Sequence, residues 1–144
     1  MSIVVSVVGN SKSGKTTLLS RIIPLLKKRG YTVCVIKHSG HLLSHTDFDH
    51  EGKDTFTFSQ AGADEVWLTS SGLTYHLISE ERSLERMVAS SQADVILVEG
   101  FKSAPTKKIV LITPGEPIDI AGTILEIVQG EYNPEDIVEK IIHS

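Results

Sequence analysis

Near its N-terminus the chain reads Gly9-Asn10-Ser11-Lys12-Ser13-Gly14-Lys15-Thr16-Thr17. This stretch fits the pattern Gly-x-x-x-x-Gly-Lys-Ser/Thr, and it lies between a short valine-rich run and a segment with helical periodicity. Glycine allows positive φ angles, so that successive backbone N–H groups can point inward and form a seat for an anion. A helix that begins near Gly14 adds its unpaired N-terminal donors and the positive end of its dipole. The sequence therefore predicts that residues 9–17 form a cradle for phosphate groups.

Two side chains of this cradle have separate predicted tasks. Lys15 is expected to reach the β- and γ-phosphates of a nucleotide, and the hydroxyl group of Thr16 is expected to bind the Mg²⁺ ion that bridges them. The remaining cradle residues would surround the phosphates with backbone donors. The predicted ligand is therefore a nucleoside triphosphate with Mg²⁺.

The composition is that of one globular domain. With 144 residues, of which 40% are hydrophobic and 22% charged, the chain can bury a sizeable core, and we expect a single nucleotide-binding domain over residues 1–144. A net charge of -4 argues against a general binder of nucleic acid or of anionic membranes. No apolar stretch approaches the length of a membrane span. We expect a cytoplasmic protein, since nucleoside triphosphates and Mg²⁺ are abundant there.

Strand-like and helical segments alternate along the chain. The predicted strands cover residues 2–8, 31–37, 94–98, 107–113 and 123–128, of which the first and third are expected to be buried. The predicted helices cover residues 14–29, 54–61, 80–90 and 134–143. Two further runs, 65–69 and 73–78, are separated by Ser-Ser-Gly and predict an antiparallel hairpin. This order predicts a three-layer α/β sandwich of the P-loop NTPase type, with a mainly parallel sheet and the hairpin at one edge of that sheet.

The position of an acidic residue along its strand decides whether it can reach a nucleotide. In an open parallel sheet, ligands bind beyond the carboxyl ends of the strands. Asp94 begins its predicted strand, whereas Glu99 ends it. Glu99 is therefore the candidate that holds Mg²⁺ directly or through water, and the alternative is a solvated loop glutamate.

Residues 38–54 hold four of the six histidines, together with several aspartates. Histidine with carboxylates suits Zn²⁺ or Ni²⁺, but the spacing matches no standard zinc pattern, so a solvated or substrate-contacting loop is the other interpretation. Asp54 is a candidate catalytic residue that orders Mg²⁺-bound water or positions the attacking water. The alternative role of Asp54 is to cap the helix that follows it.

The arginines Arg21, Arg29, Arg82 and Arg86 all fall on predicted helices. No predicted loop therefore offers an arginine finger in cis, and we expect hydrolysis by the chain alone to be slow. A small-molecule kinase is disfavoured for the same reason, because such enzymes need cationic groups on the transferred phosphoryl group.

Five pieces of the sequence together resemble one known family. They are Gly9 to Leu18, Ile36-Lys37-His38, Gly52-Lys53-Asp54, Ala61-Gly62-Ala63 and Leu97-Val98-Glu99-Gly100-Phe101-Lys102. In these pieces the chain is similar to the MobB family, the molybdopterin-guanine dinucleotide biosynthesis protein B. The resemblance extends from the N-terminus to about Thr113, and the pieces around His38 and Glu99 are more specific to the family than the cradle.

The resemblance implies a cytoplasmic, homodimeric GTP-binding protein with weak GTPase activity. It implies that the protein assists a guanylyltransferase of the MobA type, which joins GMP to molybdopterin. On this view residues 9–17 hold the phosphates of GTP, Glu99 serves Mg²⁺, and the histidine segment and Phe101-Lys102 meet molybdopterin or the partner enzyme. The guanine-reading pattern Asn/Thr-Lys-x-Asp is absent, so the preference for guanine comes from the resemblance alone.

The alternative function belongs to the metal-delivery class. It is a nucleotide-dependent metallochaperone that carries Ni²⁺ or Zn²⁺ on His38, His41, His45 and His50. Stoichiometric metal uptake that depends on these histidines would distinguish metal delivery from an adapter role.

Overall fold

The computed structural model describes residues 2–40, 43, 54–115 and 120–144. These residues group into two compact units, a larger one made of Met1–His38 and Leu84–Ser144 and a smaller one made of Ser39–Ser83. In the part of the chain that the structure describes, no helix is long and apolar enough to cross a membrane. The expectation of a single nucleotide-binding domain over residues 1–144 stays a prediction.

The secondary-structure elements follow one another in the alternating order that the sequence predicts. In chain order they are β1 (Ile3–Gly9), α1 (Lys15–Lys28), β2 (Val33–Lys37), α2 (Asp54–Gln60), β3 (Glu65–Thr69), β4 (Thr74–Ile78), α3 (Leu84–Ser90), β5 (Val95–Glu99), β6 (Lys107–Leu111), β7 (Ile124–Val128) and α4 (Pro134–Ile142).

A five-stranded parallel sheet forms the centre of the larger unit. Its strand order is β2-β5-β1-β6-β7, and each neighbouring pair is parallel. Strand β1 lies in the middle, because its run of small apolar residues can be buried on both faces. Accordingly, residues 5–9 of β1 are all buried. The predicted mainly parallel sheet is confirmed.

Helices cover both faces of this sheet. One face packs against α1 and α4, and the other packs against α3. Because successive side chains of a strand point to opposite faces, Val95 and Leu97 join the first core and Ile96 and Val98 join the second. The predicted three-layer α/β architecture is therefore confirmed.

Helix α1 continues through Pro24 to Lys28. Proline disfavours the interior of a helix, but α1 does not end at Pro24, because buried residues before and after it hold the helix against the core. Gly30 follows the C-cap residue Arg29 and has a φ angle of 91°. Gly30 N–H donates to the Lys27 carbonyl at 3.0 Å and Tyr31 N–H to the Leu26 carbonyl at 3.1 Å, which is the Schellman pattern.

The predicted hairpin forms, but not at the predicted place. Strands β3 and β4 pair antiparallel with Thr69 opposite Thr74, and Ser70 N–H closes the turn on the Leu73 carbonyl at 2.9 Å. Among the residues that the structure describes, the two strands form a sheet of their own and do not extend the five-stranded sheet. The expected edge position is therefore corrected. Most residues of both strands are exposed, so they lack the buried character of a strand in the main sheet.

Helix α3 begins at Leu84, four residues later than predicted. Residues 80–83 carry only polar side chains, whereas Leu84 is the first residue that packs against the core. Arg82 consequently lies in a loop and not on a helix, and its Nε lies 3.1 Å from Glu80 Oε1. The expectation that Arg82 falls on a helix was wrong.

Candidate nucleotide-binding site

The cradle connects the carboxyl end of the central strand with the beginning of α1. β1 ends at Gly9, and Gly14 precedes α1 in the left-handed conformation with a φ angle of 97°. Lys12 also has a positive φ angle of 62°, which is uncommon for a residue with a side chain. Ser13 N–H donates to the Asn10 carbonyl at 3.1 Å. The chain thus turns tightly at the end of β1, where ligands bind in parallel sheets.

Gly9 is required at its position because there is no room for a side chain. A Cβ atom at this buried residue would clash with Ser13 Oγ and would lie 2.9 Å from the carbonyl oxygen of Leu111. Those atoms belong to the cradle itself and to the neighbouring strand β6. The first glycine of the pattern therefore permits close packing of the cradle against the sheet.

The cradle contains a buried polar atom and an uncapped helix N-terminus. Ser13 Oγ is buried and makes no hydrogen bond to any residue that the structure describes. The N-terminus of α1 has no side-chain cap at Gly14 and no acidic residue in its first turn. Buried polar atoms and helix N-termini normally find partners. A bound phosphate would supply them, so the residues present fit the predicted nucleotide.

Lys15 folds back over the cradle. Its Nζ donates to the carbonyl oxygen of Gly9 at 2.9 Å, so the ammonium group lies at the start of the cradle. A phosphate oxygen is a stronger, charge-assisted acceptor than a neutral carbonyl. The arrangement allows Lys15 to exchange this internal hydrogen bond for a phosphate. Thr16 and Thr17 are exposed in the first turn of α1, where a hydroxyl group can reach a metal ion.

Glu99 ends strand β5, which lies directly beside β1. The parallel register places Glu99 opposite Val7, two residues before the cradle begins. Glu99 is half-buried, at the same edge of the sheet as the cradle. A carboxylate at this position has the ligand chemistry that Mg²⁺ prefers. The role of Glu99 in holding the metal stays a prediction.

Asp94 lies just before β5, at the opposite edge of the sheet. Its carboxylate accepts hydrogen bonds from the Thr32 N–H at 2.8 Å and from the Thr32 hydroxyl at 3.0 Å. These bonds, the backbone one first, hold the pKa of Asp94 below its ordinary value. Asp94 therefore joins the start of β5 to the residues before β2.

The remaining predicted site residues belong to other segments of the chain. Asp54 is the exposed first residue of α2 in the smaller unit, and its catalytic role stays a prediction. His41, His45 and His50 lie outside the residues that the structure describes. His38 is described, and its ring meets the ring of Phe101 edge-on, with 5.0 Å between the centroids. Within the described ranges, no group of three or more histidine, cysteine, aspartate or glutamate side chains could hold a metal ion.

The structure also brings a residue to the cradle that the sequence did not assign to it. Lys102 Nζ lies 3.5 Å from Asn10 Oδ1, although 92 positions separate the two residues. The resemblance placed Lys102 toward molybdopterin or a partner enzyme. No local sequence pattern could indicate its approach to the cradle, because the approach depends on the pairing of β5 with β1.

Comparisons with known proteins identify the group to which the chain is similar. Residues 4–122 match the family described as molybdopterin guanine dinucleotide synthesis protein B, or MobB. The chain is 34% identical over 119 residues to the probable molybdopterin-guanine dinucleotide biosynthesis adapter protein of Bacillus subtilis, which covers 81% of this chain and 68% of that protein. It is 38% identical over 112 residues to the corresponding adapter protein of Escherichia coli, with 73% and 62% covered. It therefore spans roughly two thirds of the length of these relatives.

Solved structures share the architecture over almost the whole chain. The crystal structure of Bacillus subtilis MobB matches with a TM-score of 0.80 at 26% identity, over 96% of this chain and 97% of that one. A crystal structure of molybdopterin-guanine biosynthesis protein B matches with a TM-score of 0.75 at 27% identity, over 97% of each chain. The cradle, the sheet order and these matches agree, and the chain belongs to the molybdopterin guanine dinucleotide synthesis protein B family, MobB.

Proposed function

We propose that this chain is a GTP-binding adapter in molybdopterin-guanine dinucleotide biosynthesis. The names of its relatives in Bacillus subtilis and Escherichia coli support the adapter role. The observation that carries nucleotide binding is the cradle itself, in which Ser13 Oγ is buried without a partner and Lys15 rests on a carbonyl of its own loop. The metallochaperone alternative is not favoured, because the matched family and relatives are named for dinucleotide biosynthesis.

The cradle residues have distinct roles in this proposal. Main-chain N–H groups of residues 9–17 would surround the phosphates of GTP, and Lys15 would leave the Gly9 carbonyl to pair with the β- and γ-phosphates. The Thr16 hydroxyl and the Glu99 carboxylate would hold Mg²⁺. When bound, this ion neutralises negative charge on the phosphates.

Hydrolysis in this proposal is slow. Asp54 would position the attacking water, and Glu99 would act through the metal. Arg21 and Arg86 lie on helices, and Arg82 is paired with Glu80. A nucleotide that is hydrolysed slowly suits an adapter, because the bound state then lasts long enough to favour an interaction with a partner.

The proposed partner is a guanylyltransferase of the MobA type, which joins GMP to molybdopterin, and the proposed assembly is a homodimer in the cytoplasm. The adapter names of the relatives support a partner in this pathway. Exposed aromatic and aliphatic side chains on the hairpin of the smaller unit support an interaction surface there.

Calorimetry tests nucleotide binding. We expect GTP with Mg²⁺ to give a heat of association and ATP to give a weaker one. Lys15→Ala should lower the affinity for GTP at least about tenfold, because the substitution removes a charge-assisted contact. Lys28→Ala, at the other end of α1, is the matched control and should bind as the wild type does. Absence of binding of either nucleotide to the wild-type protein would contradict the proposal.

Co-precipitation tests the adapter role. The immobilised chain should retain a purified guanylyltransferase of the MobA type more strongly with a nonhydrolysable GTP analogue than with GDP. If the enzyme is not retained in any nucleotide state, the adapter role is wrong even where GTP binds.

A further inference from the structure

Two lysine side chains contact the first two residues of the cradle. Lys15 Nζ donates to the Gly9 carbonyl at 2.9 Å, and Lys102 Nζ lies 3.5 Å from Asn10 Oδ1. Gly9 and Asn10 are consecutive, so the two cations contact neighbouring residues of the cradle, Lys15 at a backbone carbonyl and Lys102 at a side-chain oxygen. The separation of 3.5 Å is at the limit of a hydrogen bond, and Lys102 is exposed, so its ammonium group is held only weakly.

The turn that carries Lys102 has an unusual and well-supported backbone. Gly100 and Phe101 both have positive φ angles, of 98° and 54°. The Phe101 ring rests against the ring of His38, and the Ala104 N–H donates to the Phe101 carbonyl at 3.0 Å. A residue with a side chain keeps a positive φ angle only where its surroundings enforce it, and such positions cluster at functional sites. The turn is therefore shaped to direct the chain from Glu99 back toward the cradle.

A buried lysine anchors the far end of this turn. Lys108 is fully buried, and its Nζ donates to the Ala104 carbonyl and to the Thr106 carbonyl, the latter at 3.1 Å. The Thr106 hydroxyl is hydrogen-bonded at 2.5 Å to the hydroxyl of Ser6 on β1. At the other end, the Gly100 N–H donates to the Val7 carbonyl of β1 at 3.3 Å. Both ends of the turn are thus tied to the strand that leads into the cradle.

We propose that Lys102 is a second phosphate-binding cation that contacts the terminal phosphate of a bound nucleoside triphosphate. The inference rests on the proposed function. Lys15 is the residue that reaches the β- and γ-phosphates, and its ammonium group marks the Gly9 end of the cradle as the end near the terminal phosphate. The Lys102 ammonium group lies beside the side chain of Asn10, the residue after Gly9. It therefore adds positive charge near the terminal phosphate, which a triphosphate has and a diphosphate lacks. Lys102 therefore makes the site selective for the triphosphate.

The test compares a nonhydrolysable GTP analogue with GDP, each with Mg²⁺, by calorimetry. Lys102→Met should weaken binding of the analogue about tenfold, as expected for loss of one charge-assisted contact, and should leave GDP binding unchanged. Lys102→Arg keeps the charge and should restore most of the preference for the triphosphate. Lys107→Met is the matched control, because Lys107 is an exposed lysine at the start of β6, and it should behave as the wild type.

The outcomes separate this inference from the proposed function. If the wild-type protein binds the analogue and Lys102→Met binds it equally well, or loses analogue and GDP binding to the same extent, Lys102 does not contact the terminal phosphate although the nucleotide site stands. If the wild-type protein binds neither nucleotide, both proposals are wrong. Circular dichroism of Lys102→Met should match that of the wild type, since the side chain is exposed.

Discussion

Asp94 immediately precedes β5 and Glu99 is its last residue, so the two carboxylates lie at opposite ends of the strand and have different surroundings. Asp94 accepts both donors of Thr32 and joins two segments of the chain at the amino edge of the sheet. Glu99 ends the strand at the edge where the cradle lies. Because ligands bind at the carboxyl ends of parallel strands, Glu99 is the candidate that holds a metal ion, and Asp94 has a structural role.

Glu99→Gln tests the metal role of this residue. The substitution keeps the shape of the side chain but removes the charge that attracts Mg²⁺. We expect GTP affinity measured with Mg²⁺ to fall to near the value measured with EDTA, whereas Asp94→Asn keeps the full effect of Mg²⁺. Titration calorimetry with and without the metal measures the difference, and an unchanged effect of Mg²⁺ in Glu99→Gln would show that the assignment is wrong.

Asp94 predicts a pH dependence of stability. Its pKa is lowered in the folded state, so the folded state favours the carboxylate. The stabilisation is fully present above the unfolded-state pKa of about 3.9 and is lost as the pH falls through the lower folded-state pKa.

We therefore expect Asp94→Asn to unfold at a lower temperature than the wild type at pH 7, with the difference shrinking below about pH 4. Thermal unfolding, followed by circular dichroism at several pH values from 7 to below about 4, measures the difference in unfolding temperature. Glu131→Gln, at an exposed position, should show no such trend. A difference between Asp94→Asn and wild type that is constant with pH would contradict the account.

At the scale of elements, α4 shows how a short helix is fixed beside α1. Asn133 caps its N-terminus by accepting the Glu135 N–H at 3.0 Å, and Pro134 begins the helix. Arg29, at the end of α1, donates to Glu135 at 2.8 Å and to Glu139 at 2.6 Å. The hydrogen bonds to both glutamates raise the pKa of Arg29, that to Glu139 being the larger effect.

Asn133→Ala should destabilise the folded state by about 1 kcal/mol, the usual effect of losing an N-cap acceptor. Asn133→Ser keeps an oxygen at the cap and should recover most of this loss. Urea unfolding at neutral pH measures the midpoints, and an Asn133→Ala midpoint equal to that of the wild type would mean that the cap does not stabilise α4.

At the scale of the whole molecule, the hairpin of the smaller unit exposes several large apolar side chains. Leu68 and Tyr75 lie opposite each other in the β3–β4 pair and are 51% and 65% exposed. Trp67 is 62% exposed, and its ring stacks on His76 with 3.5 Å between the ring centroids. Because successive side chains of a strand point to opposite faces, Leu68 and Tyr75 share one face of the hairpin and Trp67 lies on the other. Exposed apolar side chains that share a face, such as Leu68 and Tyr75, are typical of interaction surfaces.

We expect the protein to form a homodimer through this hairpin. Light scattering should give about twice the chain mass of 15.7 kDa. The double variant Leu68→Glu/Tyr75→Glu should shift the mass toward the monomer, because each charge would be buried at the interface. Ile127→Glu, at an exposed apolar position of the larger unit, should leave the mass unchanged. A monomeric wild-type protein would contradict the expectation.

Local patterns predicted much of the fold and the centre of the site. Some features depend on only a few consecutive residues, so the local sequence is enough to indicate them. They are the cradle, the end of α1 before Gly30 and the Asn133 cap of α4. The hairpin was predicted from its turn residues, but its predicted place at an edge of the main sheet was wrong, because strand pairing over long separations leaves no local pattern. The first turn assigned to α3 was wrong, because polar residues near Arg82 suit either a helix or a loop.

The sequence by itself determined the cradle of residues 9–17, the parallel α/β class and the resemblance to MobB. These follow from glycine conformations, hydrophobic periodicity and residue spacing, which are properties of short stretches. Only the tertiary structure decided that Lys102 meets Asn10 across 92 positions, that Lys108 is buried beneath the intervening turn, and that the hairpin forms a sheet of its own. Those arrangements depend on which strands become neighbours, and that choice is made by packing of the whole chain.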